Sequence, residues 1–359
     1  MKVNISNLQI TILAANFIFA ATLVTTPQAL IDLSMQNTWL VPLLLFVFLF
    51  VFIQFTFLGF KKIKNYNQLW NSKYFLAKGT ALLVLLLLVH ILVRDLRMIT
   101  AFTSHVLLPL TPQFVITMLF IFTIMYIAWA GMEVVARFTE LYGLYLIGVI
   151  LFTPLALLTQ MEFARFQPVL GLQYIPSLLQ SAYVGFAWVG ELIALIIVIT
   201  MVKPIADAKR SLIIGAGLGM FLLTLIIFSQ ISVFGAEIVR FSIFPSYQLA
   251  QQVRVTEFLD RLDLVLVAFY YPAIFAKMTF SLYGIQRCVE IIFNKETKLI
   301  LIPIGLLMGI LSIAVFDNMV QEYDFGIYIW ASLGLLLEVF IGMMFILQIR
   351  KTRKREAAK

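Results

Sequence analysis

The sequence has few charged residues, one cysteine and two histidines. Asp, Glu, Lys and Arg make up 12% of the 359 residues, whereas apolar residues make up 62% and the mean hydropathy is +1.01. A chain this apolar cannot surround a core with polar surface, so a water-soluble fold is excluded. Cys288 alone cannot supply a disulfide framework or a zinc-finger ligand set. The sequence therefore indicates a membrane protein, with no cofactor and no metal site predicted.

Long apolar runs separated by short polar gaps fill almost the whole chain. A bilayer core of roughly 30 Å requires about 20 apolar residues in a helix, so we count each run of that size as one crossing. The longest gap, near 236–261, predicts a short helix at the interface. We expect a single transmembrane domain over 1–349, with halves at about 8–160 and 178–349, and a basic cytoplasmic tail over 350–359. The runs predict an all-α membrane protein of ten spans, near 8–31, 38–60, 79–104, 113–132, 139–160, 178–201, 211–235, 262–290, 299–319 and 326–349.

The distribution of Lys and Arg predicts the orientation of these spans. If the N-terminus is cytoplasmic, the gaps assigned to the outside hold only Arg165, Arg240, Arg254 and Arg261. Nearly all other cations then lie in inside segments, including those of the tail. By the positive-inside rule, and with an even number of spans, both termini are expected in the cytoplasm.

Charged residues in the third span are the most informative departure from the apolar pattern. His90, Arg94 and Arg97 are spaced i, i+4 and i+7, which places them on one face of a helix. Asp95 has no cation three or four positions away, so its partner is expected from another helix. Lys277, in the eighth span beside a proline, is the first candidate.

Opposite charges inside the spans nearly balance. Charge inside a membrane helix is costly, so such groups normally face a protein interior and find partners. The alternative is that they are structural pairs or groups that extend to the interface, above all Arg97 and Glu338. The charges far from predicted span ends are Arg94, Arg97 and Lys277 against Asp95, Glu191 and Glu338. The predicted ion-pair or gating residues are Arg94, Asp95, Glu191 and Lys277.

The first and sixth spans have features of interrupted helices. Small and hydroxylated residues precede Pro27 in the first span, and Gly185 and Gly190 lie in the sixth. Interrupted helices at matching positions of two five-helix halves indicate a ligand site at mid-membrane. There, free N–H groups could bind a carboxylate and free carbonyls a cation. Two merely kinked helices packed through small residues remain the alternative.

Several motifs in sequence order resemble those of the endospore germination permease family, the multi-span B subunit of nutrient germinant receptors. This family is similar to amino acid–polyamine–organocation permeases. The matching residues are Ile5-Ser6-Asn7-Leu8-Gln9 with Pro27, Arg94, Leu108-Pro109-Leu110-Thr111-Pro112, Gly131-Met132-Glu133 with Arg137, Phe244-Pro245, Phe258-Leu259-Asp260-Arg261-Leu262-Asp263 and Lys277.

The resemblance implies a ten-helix 5+5 inverted repeat of the LeuT type, with helices one and six interrupted. It also implies a place in the spore inner membrane, A and C receptor subunits as partners, and a small-nutrient site near the interruptions. At the first interruption, where such permeases carry glycine, this chain has Ala20-Ala21-Thr22, and alanine favours helix. The candidate ligand-binding residues are Ala20, Ala21, Thr22, Thr25, His90, Phe186, Trp188 and Gly190.

Two functional hypotheses follow. The first is a receptor subunit that binds a small nutrient, such as an amino acid, with Lys277 as a built-in cation in place of sodium. The second is a secondary transporter that moves amino acids, with or without a proton, through Asp95, Glu191 or His90. An enzyme is not expected, because metalloprotease, hydrolase and phosphate-binding-loop motifs are missing from the sequence. Nucleic acid is not expected as a partner.

Overall fold

The computed structural model describes residues 4–22, 26–169, 171–253 and 262–358, and within them the fold is almost entirely helical. Of the candidate site residues, Thr25 lies outside these ranges, as do the motif residues 258–261. The α-helices are α1 Asn7–Thr22, α2 Thr26–Ser34, α3 Val41–Thr56, α4 Phe75–Phe102, α5 Gln113–Ala130, α6 Met132–Ala156, α7 Ile175–Val189, α8 Ala208–Phe234, α9 Ala236–Val239, α10 Pro245–Gln251, α11 Leu262–Phe293, α12 Leu301–Ala314, α13 Met319–Asp324 and α14 Ala331–Ala357.

The helices form a membrane bundle. In the described part of the chain, seven helical segments are long and apolar enough to cross a bilayer, and two shorter apolar helices, Asn7–Ala20 and Lys298–Ala314, accompany them. Each of these nine segments overlaps at least one predicted span, and Thr26–Lys62 overlaps the first two. Helix α11 covers the predicted span 262–290. The gap predicted to hold a short helix contains two, α9 and α10. The chain is therefore an integral, multi-pass membrane protein.

Large apolar side chains are exposed on the outer surface of the bundle, and several charged side chains are buried in its interior. Large apolar side chains such as Phe55, Leu119 and Phe152 are exposed, whereas Asp95 and Lys277 are completely buried. This is the arrangement expected of a protein surrounded by lipid, in which polar side chains turn toward other helices.

Helix α1 is held at its N-terminus by side chains and along its length by close packing. The Ser6 hydroxyl accepts the N–H of Gln9, and the Gln9 side chain accepts the N–H of Ser6, which is a capping box. Ile5–Ser6 (β1) pairs in parallel with Val202–Lys203 (β2). At Gly215 of α8, a Cβ atom would lie 2.3 Å from the backbone oxygen of Thr11, so α1 and α8 pack at close range because glycine occupies this position.

The first and sixth predicted spans each contain two of the helical segments that the structure describes. Helix α1 extends through Ala20-Ala21-Thr22, as the alanines favour, and α2 begins at Thr26. In the sixth span α7 ends at Val189, and a 3₁₀ helix runs from Gly190 to Met201. Such a long 3₁₀ segment inside a span often marks strain or a functional hinge.

Candidate binding site

Four buried charged side chains from three parts of the fold meet in the centre of the bundle. Arg94 and Asp95 lie on α4, Glu191 is the second residue of the 3₁₀ segment, and Lys277 lies in the middle of α11. Arg94 donates two hydrogen bonds to Asp95 Oδ1, at 3.1 Å from Nε and 2.7 Å from Nη2. It also binds Glu191 with two N–H groups, Nη1 to Oε1 and Nη2 to Oε2, the latter at 3.1 Å. Together these contacts join α4 to the 3₁₀ segment.

Lys277 closes this group from the third helix. Its Nζ atom lies 3.0 Å from Glu191 Oε2 and 3.1 Å from Asp95 Oδ2. Two cations and two anions therefore alternate in a neutral quartet, defined as Arg94, Asp95, Glu191 and Lys277. Asp95, Glu191 and Lys277 are completely buried and Arg94 is 4% exposed. Such charges tolerate burial only when each is compensated by a close partner.

The quartet contains one predicted pairing and one that the sequence argument missed. Lys277 lies beside Asp95, as expected from the need for a partner on another helix. Arg94 also binds Asp95, its neighbour in the chain. The helical spacing argument considered only positions three and four residues away, whereas the long Arg94 side chain bends back to the adjacent carboxylate.

The other two charges of the predicted balance do not join the quartet. Arg97 is buried, and its Nη1 lies 3.5 Å from the Gln113 side-chain oxygen. Glu338 of α14 is completely buried, and neither of its oxygens has a hydrogen-bond partner among the described residues. It faces Gly190, where a Cβ atom would lie 2.0 Å from Glu338 Oε2. The glycine thus provides the space that the carboxyl group occupies.

A cavity of about 190 Å³ lies directly beside the quartet. Arg94 belongs to both, because its guanidinium binds the quartet carboxylates and its side chain also lines the cavity. The walls are mainly apolar and aromatic. The lining residues include the predicted residues His90 and Trp188, and also Gln28, Ala29, Met98, Ala101, Phe316, Glu322, Tyr323, Phe325, Gly326 and Trp330.

Aromatic rings hold the polar groups of the cavity in position. The Arg94 guanidinium lies 4.6 Å from the centre of the Trp188 ring, which is a cation–π contact. The His90 ring stacks on Trp330 at 3.4 Å between centroids. Trp330 in turn donates its indole N–H to the Ala187 carbonyl at 3.1 Å. His90 Nε2 is buried and has no hydrogen-bond partner among the described residues.

Of the other candidate ligand residues, Ala20, Phe186 and Gly190 are not among the described residues that line the cavity. Ala20 is buried, and its carbonyl accepts the Tyr270 hydroxyl at 3.2 Å. Phe186 packs edge-on against Phe52, and Gly190 faces Glu338. Ala21 and Thr22 belong to the last turn of α1, and the structure describes their backbone alone.

Sequence reasoning missed Glu322, Trp330 and Gln28 as cavity residues. Glu322 and Trp330 belong to α13 and the π-helical turn Phe325–Trp330, which were assigned to a gap and to the start of a span. An acidic residue beside an aromatic-rich segment was the available signal for Glu322. No sequence spacing relates these residues to His90 and Arg94, because the contact arises from packing of distant helices.

The family match and the similar proteins all carry the description spore germination protein. Residues 4–320 match the family described as spore germination protein. In Bacillus subtilis (strain 168), the candidate spore germination protein YfkT is 30% identical over 323 residues, which covers 87% of each chain. Spore germination protein KB is 27% identical over 69% of this chain and 68% of its own. Spore germination protein YndE is 23% identical over 73% of this chain and 71% of its own. Because the family match covers residues 4–320, which is most of the described bundle and includes all four residues of the quartet, this chain belongs to the spore germination protein family.

Proposed function

We propose that this protein is the membrane B subunit of a spore nutrient germinant receptor. In this proposal it binds a small nutrient, an amino acid, at mid-membrane and triggers germination together with A and C subunits, without a catalytic step. Family membership and the similarity to spore germination protein KB support the germination role. The cavity beside the quartet supports the binding role.

The observation that carries the binding proposal is the pair of opposite charges on the cavity wall. Arg94 and Glu322 both line it. A free amino acid carries a carboxylate and an ammonium group, so it can bind Arg94 through one and Glu322 through the other. The apolar and aromatic remainder of the wall suits a small side chain. At about 190 Å³ the cavity is smaller than the roughly 300–1,000 Å³ typical of drug-sized ligands.

The position of Arg94 also supplies a way to transmit binding. A ligand carboxylate would compete with Asp95 and Glu191 for the same guanidinium N–H groups. Weakening those bonds changes the equilibrium between two arrangements in which α4, α11 and the 3₁₀ segment pack differently. A ligand can shift such a balance only through different affinities for the two states, and contact with Arg94 provides that difference. Lys277 keeps a fixed cation against the two carboxylates, so we expect binding without sodium.

We further propose that the bundle is a ten-helix inverted repeat with interrupted helices one and six. Grouping α1 with α2, and α7 with the 3₁₀ segment, gives five crossings before residue 170 and five after it within the described ranges. The interruptions then fall at the first crossing of each half. The proposal includes a spore inner-membrane location with both termini in the cytoplasm, as the distribution of Lys and Arg favours.

Gene deletion followed by complementation tests the receptor proposal. Deletion in the host should abolish germination in response to one class of nutrient, and the wild-type gene should restore it. Glu322→Gln should restore it poorly, because the ammonium partner is lost. Glu296→Gln, an exposed change in the loop after α11, should restore it fully. A normal response in the deletion strain to every nutrient would contradict a receptor role.

The alternative, a secondary amino-acid transporter, is favoured by one observation. Glu338 is a buried carboxyl group whose oxygens lack hydrogen-bond partners among the described residues, as a proton-carrying group could be. Reconstituted vesicles separate the two functions. Saturable amino-acid binding without net uptake supports the receptor, whereas uptake driven by a proton gradient supports the transporter.

A further inference from the structure

The C-terminal end of α14 is fixed against the segment that follows α3. Phe345 packs with Phe57 and Trp70, at 5.6 and 6.1 Å between ring centroids. In the last turn of α14, the Glu356 carboxylate accepts the backbone N–H groups of Lys64 and Asn65 at 3.0 and 2.7 Å. The basic end of the chain is therefore not a free tail but part of a built surface.

Fixing these two segments together creates a concave cationic site, defined as Lys62, Lys64, Arg350, Arg353 and Lys354. These residues surround a cavity of about 560 Å³ together with Glu356 and Ala357. Within the residues that the structure describes, none of the five cations has an ion-pair partner within 4.0 Å. The only acidic residue of the site, Glu356, already has both oxygens engaged by backbone N–H groups. The site therefore has an excess of positive charge that an anion would compensate.

One cation is placed in the site by a special backbone position. Gly59 has a φ of +82°, and a Cβ atom there would lie 2.9 Å from Arg353 Nη1. The positive φ turns the chain after α3, and the missing side chain lets Arg353 lie directly against it. The turn thus brings Lys62 and Lys64 toward the Arg353 side of α14.

The site lies where lipid headgroups would be. Phe55 and Leu58, just before the Gly59 turn, are 63% and 53% exposed, and Leu347, one turn before Arg350, is 45% exposed. On a membrane protein such side chains face lipid tails, and the cations that follow them along both segments then lie at headgroup depth.

We propose that this cationic site binds the phosphate group of an anionic phospholipid from the adjoining leaflet. Phosphate oxygens match the donors of Arg and Lys, and clusters of four to eight such residues next to a membrane helix attract anionic lipids. A basic tail that only orients the last helix would need neither the Glu356 contacts nor the glycine turn that shape the concavity.

The test compares two triple variants of the full chain. Lys62→Gln, Arg350→Gln and Lys354→Gln together remove three cations of the site but leave Arg353 against Gly59. Lys61→Gln, Lys73→Gln and Lys351→Gln together remove the same charge from exposed positions outside the site. Each protein is purified in nanodiscs of phosphatidylcholine alone or mixed with phosphatidylglycerol, and retained lipids are counted by native mass spectrometry. Equal melting temperatures in phosphatidylcholine verify that all proteins are folded. If the triple site variant does not fold, the single variant Arg350→Gln replaces it in the comparison.

The wild type and the control variant should retain phosphatidylglycerol selectively, and the site variant should not. Affinity should fall on the order of 100-fold, since each cation near an anionic surface contributes about 1 kcal/mol. If both triple variants lose phosphatidylglycerol equally, the lipid is held by diffuse charge attraction and the proposal is overturned. If the site variant retains as much phosphatidylglycerol as the wild type, the proposal is also overturned. Inorganic phosphate is tested in parallel. If the site binds free phosphate saturably but does not select phosphatidylglycerol, its ligand is free phosphate and the lipid proposal is overturned.

Discussion

The Nζ atom of Lys277 lies 3.0 Å from Oε2 of Glu191, and this contact joins the middle of α11 to the start of the 3₁₀ segment. Arg94 approaches the same carboxylate from α4. Three parts of the fold that are far apart in sequence therefore share one buried carboxylate. Because these groups are buried, solvent screens their interactions only weakly, so a change in the charge of one partner changes the electrostatic energy of the others.

Lys277→Met should strongly destabilise the protein. It leaves two buried carboxylates with a single guanidinium, and removing one partner of a buried pair costs about 3–5 kcal/mol. Combining it with Asp95→Asn restores one cation to one anion, so the double variant should be more stable than Lys277→Met alone. Thermal unfolding in detergent measures both. Additive losses in the double variant would show that the two residues are not coupled.

Gly190→Ala should destabilise the junction between α7 and the 3₁₀ segment. The new methyl group would meet the Glu338 carboxyl group at 2.0 Å, and overpacking of this kind costs about 1–3 kcal/mol. In a Glu338→Ala background the obstacle is gone, and the same substitution should cost little. A double-mutant cycle of melting temperatures measures this coupling, and an equal loss in both backgrounds would rule out the Glu338 contact as the cause.

Gly215→Ala should loosen the packing of α1 against α8. Its Cβ atom would lie 2.3 Å from the backbone oxygen of Thr11, which cannot move without displacing α1, so we expect a loss of about 1–3 kcal/mol. Gly148→Ala is the matched control, because a Cβ atom there meets nothing within 4 Å in the helical interior of α6. That control should gain about 0.5–1 kcal/mol from lower backbone entropy in the unfolded chain. Similar melting temperatures for the two variants would contradict the close α1–α8 contact.

The sequence was sufficient to predict the membrane class, the approximate spans and the need for a buried polar centre. Apolar run length fixes the first two, and the cost of lone charges in a membrane fixes the third. It could not assign the pairs, because Arg94 reaches both its chain neighbour Asp95 and the distant Glu191. Equal numbers of buried charges also did not mean equal numbers of pairs, since Arg97 and Glu338 lie apart from the quartet.

The cavity could be predicted only in part. His90 and Trp188, predicted as ligand residues, and Arg94, predicted as an ion-pair or gating residue, all line it. Glu322 and Trp330 reach the same cavity through the tertiary packing of α13 and the turn after it, for which sequence provides no spacing rule. The roles in ligand binding stay predictions for all eight candidates: Ala20, Ala21, Thr22, Thr25, His90, Phe186, Trp188 and Gly190.

The most direct test of the account is ligand binding to a protein whose cavity has been filled. Ala101 is buried and lines the cavity, whereas Ala136 of α6 is equally buried and does not. Trp188 and Trp330 in the wall should report amino-acid binding through tryptophan fluorescence of the purified chain. We predict saturable binding to the wild type and to Ala136→Leu, and none to Ala101→Leu. Unchanged binding by Ala101→Leu would contradict the claim that the nutrient site lies beside the quartet.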